Sequence, residues 1–435
     1  MYKAIHLLLV LLVLVGCSSS TEVDSVPGGH APASTLTVGD LVSYQIAYCQ
    51  RTTQLDEVGQ GRTDIVLRQG DSSLRYTITV PITPPQSPVS LSCNGRNDAI
   101  RVGGLGLAWR PEHAQLSMTT AVSSASGDHF YFVDVGSDLV PTIPDIEHWE
   151  HQRLFRSPYH LSWSPDGKWL ATDAVATNGD TGRPEIWIYS PESREGLQVT
   201  KSMQGDSAWG PSSWSPDGRF LAVTRASGYS GLALIDIQTL QRSDIGSENH
   251  DQLRNWPYAP SLLNLIAGAS IEQILQEYIA QNSPPIWISD GQRVIFVAPS
   301  AGDQVSIFVS NRDGSSLTNL TAPLEGITGL PRLSPDNRTL AFVRYPGWGN
   351  RDRAEVGLYD FSTNTTTSLL VLAKPQNGDE LFISGLDWSP DGHYLAFSSN
   401  HDGESDIYVV SADGTAWVSL TADTDGDAVY PLWRP

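Results

Sequence analysis

Histidine and glutamate side chains at residues 147–151 are the first group in the sequence whose types and spacing could do chemistry. His148 and His151 stand three residues apart, with Glu147 and Glu150 beside them. At this spacing two imidazoles could share one face of a helix and bind a divalent metal ion. The segment carries no His-Glu-x-x-His motif and lies in a strand-rich connection. We therefore assign no metal ligand here.

Five further histidines could converge in the folded molecule, or could remain scattered over its surface. The sequence leaves both arrangements open. Convergence would create a metal site, whereas scattered positions would not. The five are His113, His129, His160, His393 and His401.

Three aspartates alternate along one segment near the end of the sequence. Asp423, Asp425 and Asp427 offer the hard oxygen ligands that calcium prefers. No glutamate follows at the position that an EF-hand requires. The sequence favours a solvated acidic loop over a calcium site.

Two patterns of hydrolytic enzymes are missing from the sequence. No Gly-x-Ser-x-Gly pentapeptide occurs, so a fused peptidase of the α/β-hydrolase type is not predicted. The sialidase Asp-box needs one residue between Asp and Gly, but here Asp and Gly are adjacent, as in Asp166-Gly167. The sequence therefore predicts no catalytic residue, no metal and no cofactor.

A repeated phrase shows which elements must position any functional side chain. Trp-Ser-Pro-Asp-Gly occurs at residues 163–167, 214–218 and 388–392, with looser copies at 288–291 and 333–337. Proline sets the φ angle of a turn, Asp suits its third position, and Gly or Asn accepts a left-handed conformation. An apolar run such as Leu-Ala-Phe follows, which indicates a tight turn between two strands. A hairpin unit repeated in this way predicts a β-propeller.

The two ends of the sequence complement each other in this architecture. Residues 40–80 contain three strands of a blade without its first strand, and residues 429–434 form a first strand without followers. We expect the C-terminal strand to join the N-terminal blade as its innermost strand. This predicts an all-β, seven-bladed propeller; six blades plus an N-terminal β segment is the alternative. The predicted first strands contain Trp109, Trp163, Trp214, Ile288, Leu333, Trp388 and Trp433.

The propeller is predicted to span residues 39–435, with one interruption. An insertion at about 249–284 contains apolar residues at helical spacing, which predicts a partly helical segment.

The best copy of the repeat, residues 386–422, resembles the TolB-like propeller repeat. It combines Ser-Pro-Asp-Gly, Leu-Ala-Phe, Asp-Ile-Tyr-Val, Asp-Gly and Leu-Thr. The resemblance covers most of residues 100–435 and implies a propeller. It is weak for function, because such propellers serve as interaction platforms, as accessory domains of enzymes and occasionally as lyases. TolB-type proteins also carry an N-terminal α/β domain, for which residues 18–105 have too little helical pattern.

Residues 1–16 are typical of a secretory signal peptide, with a basic start followed by a short apolar run. Leu14-Val15-Gly16-Cys17 resembles the bacterial lipobox, which implies cleavage before Cys17 and lipidation of its sulfur. Residues 17–38 are rich in Ser, Thr, Pro and Gly and predict a flexible tether. The expected location is a membrane-anchored one, at the periplasmic face of an outer membrane or at the cell surface.

The net charge of the sequence argues against one class of partner. The formal net charge is −21, with 48 acidic and 27 basic residues, and no Lys/Arg cluster could neutralise phosphates. Nucleic-acid binding is therefore not predicted.

Once Cys17 is lipidated, two cysteines remain, Cys49 and Cys93. In an oxidising compartment they are predicted to pair, with two free thiols as the alternative.

Aromatic residues supply the remaining candidates. Trp163, Trp214 and Trp388 recur at one repeat position, which indicates packing between blades. Tyr345 and Trp348 belong to a turn-rich loop without repeats, and an exposed aromatic there would suit a protein or glycan contact.

The predicted function is that of a monomeric, non-catalytic binding or scaffolding module of the cell envelope. Its partner would be an envelope protein or a glycan, and its only membrane contact would be the lipid anchor. The alternative is a metal-dependent carbohydrate lyase. Convergent histidines and carboxylates in the central pocket would favour the enzyme, and an apolar or Ser/Thr lining would favour binding.

Overall fold

A computed structural model shows an all-β protein. It describes residues 36–55, 61–69, 75–78, 89–91, 106–122, 129–137, 141–142, 155–156, 160–176, 184–201, 209–225, 231–245, 279, 283–300, 304–347, 351–422, 424 and 426–435. Within these ranges, no helix is long and apolar enough to cross a membrane. The predicted signal peptide lies outside them, as do the tether up to residue 35 and most of the insertion at 249–284. Of that insertion the structure describes Ile279, which is buried, and residues 283–284.

The first sheet combines strands from both ends of the sequence. A short 3-10 helix, Val38–Leu41, precedes it, so the first of the strands predicted within residues 40–80 begins only at Gln45. The sheet order is β3-β2-β1-β30. Strand β30 pairs with β1 in antiparallel register, with Ile46 opposite Trp433 and Gln50 opposite Ala428. Its strands are β1 (Gln45–Leu55), β2 (Gly61–Gln69), β3 (Arg75–Ile78) and β30 (Asp427–Trp433).

The next three sheets follow in chain order, and neighbouring strands within each sheet are antiparallel. The second sheet contains β4 (Val89–Leu91), β5 (Leu107–Trp109), β6 (Gln115–Val122), β7 (His129–Val135) and β8 (Pro141–Thr142). The third contains β9 (Phe155–Arg156), β10 (Leu161–Trp163), β11 (Leu170–Ala176), β12 (Pro184–Ser190) and β13 (Glu195–Gln198). The fourth contains β14 (Trp209–Trp214), β15 (Phe220–Arg225), β16 (Leu232–Asp236) and β17 (Arg242–Ile245).

The fifth sheet has eight strands and consists of two antiparallel halves. A single parallel pair, Val305 with Ile327, joins the halves. The first half contains β18 (Ile286–Trp287), β19 (Arg293–Pro299), β20 (Val305–Asn311) and β21 (Thr318–Asn319). The second half contains β22 (Ile327–Leu333), β23 (Thr339–Tyr345), β24 (Arg353–Asp360) and β25 (Thr365–Ala373). The sixth sheet contains β26 (Ile383–Trp388), β27 (Tyr394–Ser399), β28 (Asp406–Ser411) and β29 (Trp417–Ser419).

The repeated phrase forms the turn between the first and second strands of its sheet. In the copy at 388–392, Ser389 Oγ donates to Asp391 Oδ1 at 2.7 Å and accepts the N–H of Tyr394 at 2.9 Å. Asp391 Oδ1 also accepts the N–H of His393. Gly392 closes the turn at a φ of 73°, in the left-handed region that glycine adopts without strain. The phrase therefore fixes where each second strand begins.

The apolar cores lie between sheets. One cluster joins Phe132 of the second sheet to Trp163 of the third, and another joins Trp214 of the fourth to Ile188 of the third. The sheet that contains β1 and β30 packs against the second sheet on one face and against the sixth on the other. Twisted antiparallel sheets that cover each other face to face in succession define a β-propeller.

Candidate binding site at the centre of the propeller

Indole groups tie the first strand of one sheet to the first strand of the sheet before it. Each donates its Nε1–H to a main-chain carbonyl in the preceding group of strands, at 3.0–3.2 Å. These buried tryptophans therefore hold the sheets together and are not free to stack on a ligand. The four pairs are Trp214 with Ser162, Trp287 with Ser213, Trp388 with Arg332, and Trp433 with Asp387.

Trp287, rather than Ile288, occupies the tryptophan position of its copy. The copy reads Trp287-Ile288-Ser289-Asp290-Gly291 and has the same five residues as the others, so Ser289 stands at the proline position and Ile288 at the serine position. The predicted first strand therefore ends at Trp287.

The residue just before the tryptophan position defines a set that we call the inner ring. First strands of successive sheets contact one another from β5 through β30. In each of these strands the inner-ring residue is half-buried, whereas in every strand except β5 and β22 the strand residues beside it are buried. The inner-ring residues therefore occupy one equivalent position in consecutive first strands. Its members are Ala108, Ser162, Ser213, Ile286, Arg332, Asp387 and Leu432.

The chemical character of the inner ring is mostly neutral. Five of its members carry small or apolar side chains, and the two charged members, Arg332 and Asp387, occupy successive first strands. Such a lining can contact a ligand by shape and by a few polar groups.

Asp387 is the unusual member of the ring. Its Oδ2 accepts the main-chain N–H of Trp433 at 2.7 Å. Burial raises the pKa of Asp387 to about 7, against the opposing effect of the positive charge on Arg332. A carboxyl group with this pKa exchanges a proton near neutral pH, so it can either donate or accept a hydrogen bond there.

A second polar pair lies where β10 begins. His160 Nδ1 lies 2.8 Å from Asp173 Oδ1, which also accepts the main-chain N–H of His160. Both residues are buried, and Nε2 of His160 has no hydrogen-bond partner. The carboxylate of Asp173 can thus accept a hydrogen bond from Nδ1 of His160 and fix the orientation of the ring.

The other described histidines lie in separate places. His113 is exposed beside the carbonyl of Pro111, and His393 is exposed beside Asp391. The ring of His401 packs on those of Tyr408 and Trp417. No group of three His, Cys, Asp or Glu side chains within the described ranges is arranged to hold a metal ion. The side chain of His129, and all of His148 and His151, lie outside those ranges.

The acidic segment at 423–427 is described only in part. Asp427 Oδ1 accepts the N–H of Ser405 at 2.9 Å, whereas Asp423 and Asp425 lie outside the description. Burial raises the pKa of nearby Asp406 to about 6, and the negative charges of Asp402, Glu404 and Asp427 contribute. The calcium hypothesis stays untested.

Tyr345 is not part of an exposed binding loop. It ends strand β23 with no exposed surface, and its hydroxyl oxygen accepts the main-chain N–H of Ile383 at 2.9 Å. Burial raises the pKa of this phenol to about 12. Tyr345 therefore folds back into the core, and Trp348 lies outside the described residues.

Cysteine positions are also described only in part. Cys49 is buried in β1 and is disulfide-bonded. Cys17 and Cys93 lie outside the described residues, so lipidation of the first and pairing of the second with Cys49 stay predictions.

The successive antiparallel sheets and the contacts between their first strands define the class of protein: the chain is a β-propeller. No protein-family model matches it. Parts of it are similar in sequence to TolB proteins. A TolB homolog of Chlorobaculum tepidum is 27% identical over 131 residues, which are 30% of this chain and 27% of that protein. The Tol-Pal system protein TolB of Syntrophus aciditrophicus is 52% identical over 44 residues, 10% of each chain.

These matches are local, because they span 27% and 10% of the length of the two relatives. Among solved structures, TolB from Acinetobacter baumannii is 18% identical, with 93% of this chain and 88% of that chain covered and a TM-score of 0.46.

Proposed function

We propose that the chain is a cell-envelope β-propeller that binds another envelope component at the inner ring without catalysis. The observation that carries this proposal is the composition of the inner ring, in which no member is a histidine and five of the seven are neutral. A binding surface needs shape and a few placed polar groups, whereas a lyase needs a converging set of bases or metal ligands. Local similarity to TolB, including one relative named for the Tol-Pal system, supports an envelope role.

The proposal includes seven blades and a shared closing blade. Its support is that seven first strands each contribute one inner-ring residue, and that the eight-stranded sheet divides at one parallel pair. The pairing of β30 with β1 places strands from both ends of the sequence in one sheet.

Photo-crosslinking in cells tests the binding proposal. A photoreactive amino acid in place of Ser213, in the inner ring, is expected to give discrete adducts with an envelope component. The control position is Arg338, which lies on the turn between β22 and β23 with a side chain that is 81% exposed. Adducts that are equal at both positions, or missing at Ser213, would contradict binding at the inner ring.

A second measurement separates binding from lyase activity. Purified protein incubated with polygalacturonate and Mn²⁺ is expected to yield no unsaturated product. Turnover that disappears in a His160→Ala variant would reject the non-catalytic proposal in favour of the lyase.

Membrane anchoring through Cys17 is the remaining part of the proposal. A Cys17→Ser variant is expected to leave the membrane fraction or to remain unprocessed, because several acyl chains are needed for stable anchoring. The measurement is cell fractionation with detection of the lipid-dependent mobility shift. Unchanged fractionation and mobility would rule out the anchor.

A further inference from the structure

The outermost strand of one group, β25, differs in length from every other outermost strand that the structure describes. It has nine residues, whereas the described parts of the six others have between two and four. Short edge strands prevent unwanted pairing, because they present few unpaired main-chain groups. A long edge strand presents a template for another strand.

The composition of β25 also lacks the usual protection of an edge. Residues 365–373 contain neither a charged residue nor a proline. Most other outer strands carry such a residue: Arg75 in β3, Pro141 in β8, Glu195 in β13, and Arg242 in β17. Charged residues and prolines at an edge oppose strand addition. Val371 is, in addition, 45% exposed, one of four large apolar side chains exposed in the described residues.

The register shows which main-chain groups of β25 face outward. Lys374 donates its N–H to the carbonyl of Asp352 at 2.8 Å, just beyond the pair of Arg353 with Ala373. Because bonded and non-bonded pairs alternate in an antiparallel ladder, the N–H and C=O of Val371 and Ala373 point away from β24. Within the described residues, β25 pairs with β24 alone. These outward groups are therefore available to an added strand.

A bulge divides the edge of β25. The register shifts between the pairs Val356–Leu370 and Gly357–Ser368, which leaves Leu369 as the extra residue. The side chain of Leu369 packs against the core, so the bulge anchors the strand on its own sheet. Residues 370–373 form the regular stretch with the outward groups.

We propose that β25 is a docking site for an extended, neutral or basic segment of a second polypeptide, which adds as a fifth strand. Strand addition obtains its affinity from main-chain hydrogen bonds and therefore needs an uncharged, extended edge such as residues 370–373. The net charge of −21 disfavours a second copy of this chain and favours a partner without net negative charge. This surface lies at the rim, so it is independent of binding at the inner ring.

A labelled synthetic peptide of alternating threonine and valine, flanked by lysines, is the probe. The parent is expected to bind it, and Val371→Pro is expected to weaken binding at least tenfold because the outward N–H is removed. The matched control is Gln198→Pro in β13. The bond from the N–H of Val199 to the carbonyl of Ile186 shows that the N–H of Gln198 also faces outward. This control should bind the probe as the parent does.

Hydrogen exchange and sedimentation complete the test. Binding of the probe should slow exchange at the amides of Val371 and Ala373. If Val371→Pro fails to fold, Val371→Lys replaces it and is expected to repel the basic probe. Equal affinity of parent and variant, or protection away from β25, would overturn the proposal. Sedimentation measures whether the free chain dimerises. Dimerisation that Val371→Lys abolishes would mean that the strand docked on β25 comes from a second copy of this chain and not from a different partner.

Discussion

Removal of residues 428–435 is expected to make the protein insoluble or to lower its unfolding midpoint sharply. These residues form nearly all of β30, which pairs with β1 and contacts β26. Val429 and Tyr430 belong to the core shared with the second sheet, and Trp433 belongs to the core shared with the sixth. Burial of each such side chain stabilises the fold by roughly 1.5–3 kcal/mol, and a typical domain is stable by only about 5–15 kcal/mol.

A single substitution separates the packing contribution from the loss of the strand. Trp433→Ala is expected to lower the free energy of unfolding by about 3–5 kcal/mol, because it leaves a cavity and removes the indole bond to Asp387. Leu197→Ala, at a side chain that is 41% exposed, serves as the control and should stay within about 0.5 kcal/mol of the parent. Chemical unfolding measures both. A deletion variant that unfolds at the parental midpoint would show that β30 has no role in holding the sheets together.

The positions of turns could be predicted from the sequence, because the repeated phrase is a local signal. Ser389 and Asp391 each accept a main-chain N–H from a residue at most five positions further along the chain. These hydrogen bonds therefore need no information from the rest of the fold. The boundaries of strands next to less regular segments were harder to predict from the sequence. The strands predicted within residues 40–80 are preceded by a 3-10 helix that ends at Leu41, and β1 begins only at Gln45.

The inner ring could not be predicted from residue type. Its position is occupied by Ala, Ser, Ile, Arg, Asp and Leu, so no pattern distinguishes it from other positions. The usable signal was the tryptophan one residue later. In the copy at residues 287–291, Ser289 stands at the proline position, and Ile288 was therefore wrongly assigned to the tryptophan position. Tyr345 shows the converse error. Its neighbours Pro346 and Gly347 indicate a loop, but its burial depends on the amide of Ile383 in the next group of strands.

The raised pKa of Asp387 likewise comes from contacts between sheets. Desolvation by the neighbouring first strands raises the pKa of Asp387 more than the positive charge of Arg332 lowers it. The N–H that Asp387 accepts belongs to Trp433 in β30, which lies in a different sheet. Isolated sequence reasoning gives an aspartate its ordinary pKa near 3.9. The proximity of three first strands depends on how the sheets pack against one another, which local patterns do not encode.

Asp387→Asn is expected to stabilise the protein relative to the parent by a larger amount at pH 8 than at pH 5. The folded protein holds the Asp387 proton up to a pH of about 7, whereas the unfolded chain releases it near pH 4. The folded state therefore binds more protons than the unfolded state between these values, so the free energy of unfolding falls as pH rises. The slope for one such group is at most about 1.4 kcal/mol per pH unit. Asparagine retains a side-chain oxygen for the N–H of Trp433 and removes the slope.

Urea unfolding of parent and variant at pH 5 and pH 8 isolates this contribution. Asp406, whose pKa is about 6, and Asp391, whose hydrogen bonds to Tyr44 and Ser389 hold its pKa at about 2, titrate in both proteins and cancel in the difference. The stability difference between variant and parent should therefore grow between the two pH values. A difference that stays constant would mean that Asp387 is already ionised at pH 5. In that case solvent or Arg332 stabilises the carboxylate, and the inner ring carries a fixed negative charge in place of an exchangeable proton.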